Sequence, residues 1–353
     1  MAKIAKKTIE PVRAQKKTPK NARFVCLDSM LGNDWAMFYV LCGGRMTGKS
    51  YSVTEFLCRQ HKRLGQDCKN YWLRISETST NALLTNKANK LVDPDLVRKY
   101  DLDFTRKGAE VFNRGKLFCT VLPLSGFAKQ KGVAFYDKDF TGYYNIVLDE
   151  FQLEQGEKRT SFDILYNFIG MLENIARTTK SKVRVFLLGN TLEEASTILK
   201  AFNFLPEKFG RFYLRSKRCV IDNLEPTEEY LKDREGSLAD ILGGGSMSNY
   251  TNELTKDRRF ITKERPHVPT ALIKFFKDPK RWYVIYDSHL IRKYRGEKVN
   301  KIVAMRPYLD EPFNLEMRQT IVEMYDANSF VYNNLIDQSY FTDELRRIRK
   351  LGS

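Results

Sequence analysis

Between about residues 35 and 190, short apolar runs rich in β-branched and aromatic residues alternate with stretches whose apolar positions recur at helical spacing. That alternation predicts a parallel sheet covered by helices, an α/β fold. Strands are expected at Ala36–Cys42, Tyr71–Ile75, Lys116–Val121, Asn145–Asp149 and Val183–Leu188. Helices are expected to begin near Lys49, after Ser79, near Phe162 and after Thr191. From 225 to 256 the pattern changes to two short helical stretches, Thr227–Leu231 and Ser237–Leu242, and then to the turn-rich run from Gly243 to Asn249, which reads as a linker. Beyond it, Arg259–Ile261, Ala271–Phe276, Trp282–Tyr286, Leu290–Tyr294 and Lys301–Met305 suit an antiparallel meander. Helical patterns at Phe313–Tyr325 and Asp343–Lys350 close the chain.

A chain of 353 residues has the length for one large or two modest domains, and 23 Phe and 18 Tyr against 11 Pro supply the apolar anchors of a folded protein. Charge narrows the partners: 60 Lys+Arg against 43 Asp+Glu leave +17, which attracts nucleic acid or an anionic membrane surface. No apolar run reaches the roughly 18 residues of a membrane span, and the Lys-rich start lacks the apolar stretch of a secretion signal, so a cytosolic protein is expected. The surplus is uneven. Residues 1–23 hold eight Lys/Arg against Glu10 alone and read as a flexible basic arm, either a polyanion-binding arm or a solvated tail. Residues 257–306 carry +9, whereas 307–353 carry −3.

The six cysteines, Cys26, Cys42, Cys58, Cys68, Cys119 and Cys219, form no C-x-x-C pair, and only His61, His267 and His289 are present to supplement them as zinc ligands. Buried reduced thiols are expected.

The most specific chemistry is Gly43-Gly44-Arg45-Met46-Thr47-Gly48-Lys49-Ser50, which fits G-x-x-x-x-G-K-[ST] and falls between an expected strand and an expected helix. In that setting backbone N–H groups curl around phosphate oxygens at a helix N-terminus, Lys49 reaches the β- and γ-phosphates, and the Ser50 hydroxyl can ligate Mg²⁺. The strand Ile146-Val147-Leu148 then delivers Asp149 and Glu150 to its C-terminal edge, where parallel sheets bind ligands. Asp149 would hold Mg²⁺ through its water shell, and Glu150 would polarise the attacking water as general base. Asn190, after Val183–Leu188, is either a γ-phosphate sensor or part of a helix cap. Arg45, Lys131 and Arg177 are candidate cations for the charge that develops on the phosphoryl oxygens. For Arg177 a solvated helix-end arginine is the competing reading, and for Lys131, in the basic segment Lys129-Gln130-Lys131-Gly132, direct DNA contact competes.

Together with Leu187-Leu188-Gly189-Asn190-Thr191 and the basic β-rich tail, these motifs resemble the large terminase and packaging ATPases of tailed phages, the phi29-type packaging motor above all. Tyr71-Trp72-Leu73-Arg74, Pro123-Leu124-Ser125 and Phe204-Leu205-Pro206 fall in similar order. The resemblance implies an ASCE-type P-loop ATPase domain at 24–224, a helical linker at 225–256 and an α+β RNase H-like domain at 257–353. It further implies a homomeric ring, a pentamer, that uses ATP and Mg²⁺ to drive double-stranded DNA through the phage portal into a procapsid in the host cytoplasm. Lys131 and Arg177 match positions acting across the subunit interface in such rings, and the family's small members also bind a structural procapsid RNA.

In phi29-type relatives the RNase H-like domain has lost its nuclease residues. A two-metal nuclease needs several converging carboxylates, and only Asp287 lies at the end of an expected strand here, so an inactive domain is expected. The polar loop Gln155-Gly156-Glu157-Lys158-Arg159 lies on the ligand-binding edge. It is either an ordinary exposed loop or a pore loop whose Lys158 and Arg159 grip DNA phosphates without reading bases. The competing functions are a P-loop helicase or remodelling ATPase, a terminase with an active nuclease, and a non-catalytic RNA-binding module.

Overall fold

The computed structural model describes residues 25, 27–88, 90–130, 139–152, 162–177, 182–190, 197–206, 208–235, 237, 241, 260–262, 269–274, 282–286, 290–294, 315–332 and 334–350. They fall into two compact units, one drawn from the first 255 residues and one from residue 256 onward together with Asn203–Leu205.

The first unit is built on a nine-stranded sheet of order β3-β4-β5-β2-β6-β7-β1-β9-β8. Six strands are mutually parallel: β1 (Phe38–Cys42), β2 (Cys68–Arg74), β5 (Lys116–Pro123), β6 (Tyr143–Asp149), β7 (Lys182–Gly189) and β9 (Cys219–Asn223). The short β3 (Phe104–Lys107) and β4 (Glu110–Asn113) extend one edge antiparallel, and β8 (Gly210–Leu214) does so at the other. The helices of this unit are α1 (Asp28–Leu31), α2 (Lys49–Leu64), α3 (Glu77–Ala88), α4 (Pro94–Tyr100), α5 (Ile164–Ile175), α6 (Thr197–Phe202) and α7 (Glu228–Arg234).

Alternation along the strands explains why they read as unbroken apolar runs. Tyr39, Leu41, Trp72, Val147, Phe186 and Leu188 join a core with Val53, Phe56 and Leu57 of α2, Leu84 of α3 and Leu96 of α4. The intervening Val40, Leu73, Ile146, Leu148, Val185 and Leu187 are buried as well, so both faces of the sheet are covered. Asn167 of α5 donates 3.0 Å to the Leu124 carbonyl and ties that helix to the segment following β5.

All five expected strands are present, and β7 lies between β1 and β6. Four strands and two helices, α1 and α4, lay outside the expectation. The β4–β5 turn is Arg114-Gly115, both with positive φ (48° and 78°), the backbone a two-residue hairpin loop requires. In β9, Cys219-Val220-Ile221 is too short a run to stand out, and Asp222 is buried only because Arg211 of β8 bonds it at 2.6 Å. The helix α4 is announced by Asp93, whose side chain accepts from the Asp95 N–H, with Pro94 in the first turn.

In the second unit β10 (Pro269–Lys274), β11 (Trp282–Tyr286) and β12 (Leu290–Tyr294) form the expected antiparallel run. A two-residue strand, β13 (Val331–Tyr332), adds in parallel to β12, which departs from a simple meander. The helices are α8 (Leu315–Asp326) and α9 (Leu335–Lys350), the latter starting eight residues before the expected Asp343 because Asn334 caps it through the Asp337 N–H. Ile321, Phe330, Tyr332, Phe341, Leu345 and Ile348 make its core. The strand expected at 301–305 lies outside the described residues, as does most of the helix expected at 237–242. No helix among the described residues is long and apolar enough to cross a membrane.

Candidate active site

The loop from Gly43 to Ser50 leaves β1 and enters α2 at the C-terminal edge of the sheet. Gly48 takes φ 81° at the helix N-cap, a left-handed backbone suited to glycine. Gly43 is needed for closeness: a Cβ there would sit 3.0 Å from Leu224, just past β9. Lys49 is buried, and its ammonium donates to the carbonyls of Gly43 (2.9 Å) and Gly44 (2.6 Å) and to Thr47 Oγ1 (3.3 Å). Burial lowers its pKa to about 8, against the opposing pull of Asp149 and other groups.

Because β6 and β7 pair in register, Asp149 and Glu150 come to the same edge as the loop. The Ser50 hydroxyl donates 3.3 Å to Asp149 Oδ1. Asp149 is buried, and desolvation pushes its carboxyl up against the pull of Arg74, Lys49 and the Ser50 hydroxyl. Glu150 is exposed and takes φ 55°, a conformation costly for a residue with a Cβ, at the point where the chain turns off β6.

The structure adds Arg74, which sequence reasoning passed over. It ends β2, the strand beside β6, and its guanidinium lies 3.4 Å from Asp149 Oδ2 while also pairing with Glu150. The available signal was a lone cation ending the apolar run Tyr71-Trp72-Leu73. A second addition is Tyr230 of α7, inside the stretch expected to be linker: its buried phenol donates 2.9 Å to the Arg45 carbonyl.

Lys49, Ser50, Asp149, Glu150 and Tyr230 border one cleft of about 670 Å³, lined by the loop from Arg45 to Ser50 and by Tyr51, Asp93, Asp149, Glu150, Leu188, Gly189, Asn190, Tyr230 and Asp233. Asn190 thus enters the cleft from the strand beside Asp149, and Met46 is exposed at its mouth. The other sequence candidates are placed elsewhere or not described. Arg177 is exposed two residues beyond the end of α5, so the helix stops before it. The backbone of Lys129 lies in a short 3₁₀ segment, Leu124–Gln130. Lys131, Lys158 and Arg159 lie outside the described residues.

The donor set fits a magnesium-bound triphosphate. The amide-lined loop at a helix start accepts phosphate oxygens, and Ser50 with Asp149 provides two oxygen donors side by side, matching an ion that keeps most of its shell for water and phosphate. Cys42, Cys58, Cys68, Cys119 and Cys219 are buried free thiols, as expected, and Cys26 lies outside the described residues.

A family model described as podovirus DNA encapsidation protein (Gp16) matches residues 20–273. In structure, the chain is similar to a chain of the phi28 gp11 DNA packaging motor, with a TM-score of 0.66 at 16% identity over 91% of this chain and 98% of that one. It is similar also to a chain of the bacteriophage phi29 viral genome packaging motor assembly, with a TM-score of 0.65 at 18% identity over 93% and 100%. Among curated protein sequences none matches significantly.

Proposed function

The chain belongs to the podovirus DNA encapsidation protein family, and from that premise we propose that it is the ATP-hydrolysing subunit of a motor that drives double-stranded DNA into a procapsid. The observation that carries this reading is the convergence of Lys49, Ser50, Asp149 and Glu150 on one cleft, with β7 interposed between the strand leading into the loop and the strand carrying the carboxylates. That interposed strand and the glutamate after Asp149 are the features of the ASCE class.

In the proposed reaction the loop from Gly43 through Gly44, Arg45, Met46 and Thr47 to Gly48 wraps the phosphates with its amides. Lys49 leaves the Gly43 and Gly44 carbonyls for the β- and γ-phosphate oxygens, whose charge favours its protonated form. Ser50 and Asp149 hold Mg²⁺, which when bound neutralises charge on the phosphoryl oxygens. Glu150 accepts a proton from the attacking water once Arg74 releases it, and Asn190 contacts the γ-phosphate. Lys131 and Arg177 act on a neighbour's site, and Lys129, Lys158 and Arg159 contact DNA. The working assembly is a homomeric ring, a pentamer, seated at the portal vertex in the host cytoplasm, with a structural RNA as a further partner. The organisation proposed is a basic arm at 1–23, the ATPase domain at 24–224, a linker at 225–256 whose α7 also lends Tyr230 and Asp233 to the nucleotide cleft, and an RNase H-like domain without nuclease activity at 257–353.

The test is turnover and assembly in one series. Glu150→Gln is expected to bind a fluorescent ATP analogue normally and to hydrolyse no ATP, while Lys49→Ala loses binding. Electron microscopy with duplex DNA and a non-hydrolysable analogue should show closed rings with a duplex-wide channel. ATP turnover unchanged in both variants would remove this site from the reaction.

A further inference from the structure

The nucleotide cleft occupies the C-terminal ends of the parallel strands; the opposite rim carries a row of cations that the reaction does not use. Lys182 opens β7, and Arg184 lies two residues on, on the same face. Arg63 lies in the last turn of α2, which starts at the phosphate loop. Arg215, Lys217 and Arg218 form the β8–β9 turn, and the Arg218 carbonyl accepts from the N–H groups of Met37 (2.7 Å) and Phe38 (3.0 Å) at the start of β1. The Met37 carbonyl in turn accepts from Val185 of β7 at 2.8 Å, so the turn and the start of β7 flank the same residue. At about 3.3 Å per residue along β7, this rim lies roughly 20 Å from the cleft.

Their surroundings set these cations apart. Among the described residues none of the six pairs with a carboxylate, whereas elsewhere on the same unit Arg59 pairs with Asp28, Lys99 with Glu55, Arg98 with Asp95, Arg114 with Asp101 and Arg211 with Asp222. Four of them rest on a ring or a backbone carbonyl instead. Arg184 lies 4.1 Å over Tyr143, with Lys182 5.0 Å from the same ring, and Arg215 lies 4.1 Å over Trp35, whose carbonyl accepts from Arg218 Nε at 3.1 Å. Exposed Asp34, Asp67 and Asp139, on adjoining turns, offset only part of this charge. Like charges held together in excess of nearby counter-charges raise the energy of the free protein, and a polyanion relieves that cost. Ring-shelved guanidiniums are also partly ordered before any partner arrives.

The geometry points to this rim as a docking surface for the phosphate backbone of double-stranded DNA, deepening the packaging reading on which it rests. Fixed cations on strand ends and a tight turn position phosphates without reading bases. A duplex fits better than a single strand, because the faces of Trp35 and Tyr143 are covered by the protein's own cations and cannot stack bases.

The test compares two charge-matched triple variants of the full chain by fluorescence anisotropy, with a blunt DNA duplex and a duplex RNA of equal length, from 50 to 200 mM salt without nucleotide. The rim variant is Lys182→Gln, Arg215→Gln and Lys217→Gln; the control is Arg98→Gln, Lys99→Gln and Arg114→Gln. Each lost phosphate contact lowers the slope of log K against log salt by about 0.9, so the rim variant is expected to lose up to about 2.7 in slope for DNA while the control stays near wild type. Basal ATP turnover and melting temperature, unchanged in both variants, keep this result separate from failure of the catalytic reading. Equal DNA slopes for the two variants, wild-type protein without DNA affinity, or a loss confined to RNA would each overturn the assignment.

Discussion

The phenol of Tyr230 donates a 2.9 Å hydrogen bond to the Arg45 carbonyl, joining α7 to the phosphate loop across 185 residues of sequence. Tyr230→Phe removes the hydroxyl that makes this bond and leaves the ring packed. The Arg45 carbonyl loses this hydrogen bond, at a cost of about 1 kcal/mol in loop order. Nucleotide affinity, measured by titration with a fluorescent ATP analogue, is expected to fall about fivefold, with the melting temperature of the nucleotide-free protein lowered by only a few degrees.

Arg74 bridges Asp149 and Glu150 from the neighbouring strand. Arg74→Gln takes from the buried Asp149 its guanidinium partner and leaves it Lys49, the Ser50 hydroxyl and the Glu150 backbone N–H, and urea denaturation at neutral pH is expected to show a loss of about 3 kcal/mol. As pH falls and Asp149 protonates, the cation is no longer needed, so the gap between variant and wild type narrows. Arg74→Lys restores stability only in part, because one ammonium cannot reproduce a planar fork addressing two carboxylates.

Lys49 is held near pKa 8 by burial, below the usual lysine value. Between about pH 8 and 10.4 the unfolded chain therefore binds a proton at this site that the folded one has released, and folding stability due to Lys49 rises with pH across that window. Lys49→Met lacks the group. The variant should be the more stable form at pH 7 without nucleotide, with its advantage shrinking toward pH 10 in paired thermal melts.

Gly189 ends β7, where a Cβ would lie 2.6 Å from Phe151 Cε1, and Phe151 is buried. Gly189→Ala should destabilise by about 2 kcal/mol through overpacking. Adding Phe151→Leu makes room, so the double variant should lose less than the sum of the two single losses.

Sequence alone was enough to identify the alternation of apolar strands with helices, the phosphate loop and the Asp149–Glu150 strand end. Each is a local pattern: a backbone run, a glycine spacing or a strand with its terminal carboxylates, set by residues adjacent in the chain. It did not reveal Arg74 or Tyr230, because neither belongs to a recurring spacing. Arg74 matters only because β2 lies beside β6, and Tyr230 only because the chain after β9 folds back over Gly43. The rim cations show the same limit. Arg63, Lys182, Arg184 and the Arg215–Arg218 turn are scattered in sequence, and the charge totals assigned the surplus mainly to the arm and the C-terminal meander. Sheet order, which depends on pairing between segments far apart in the chain, decided which side chains share an edge.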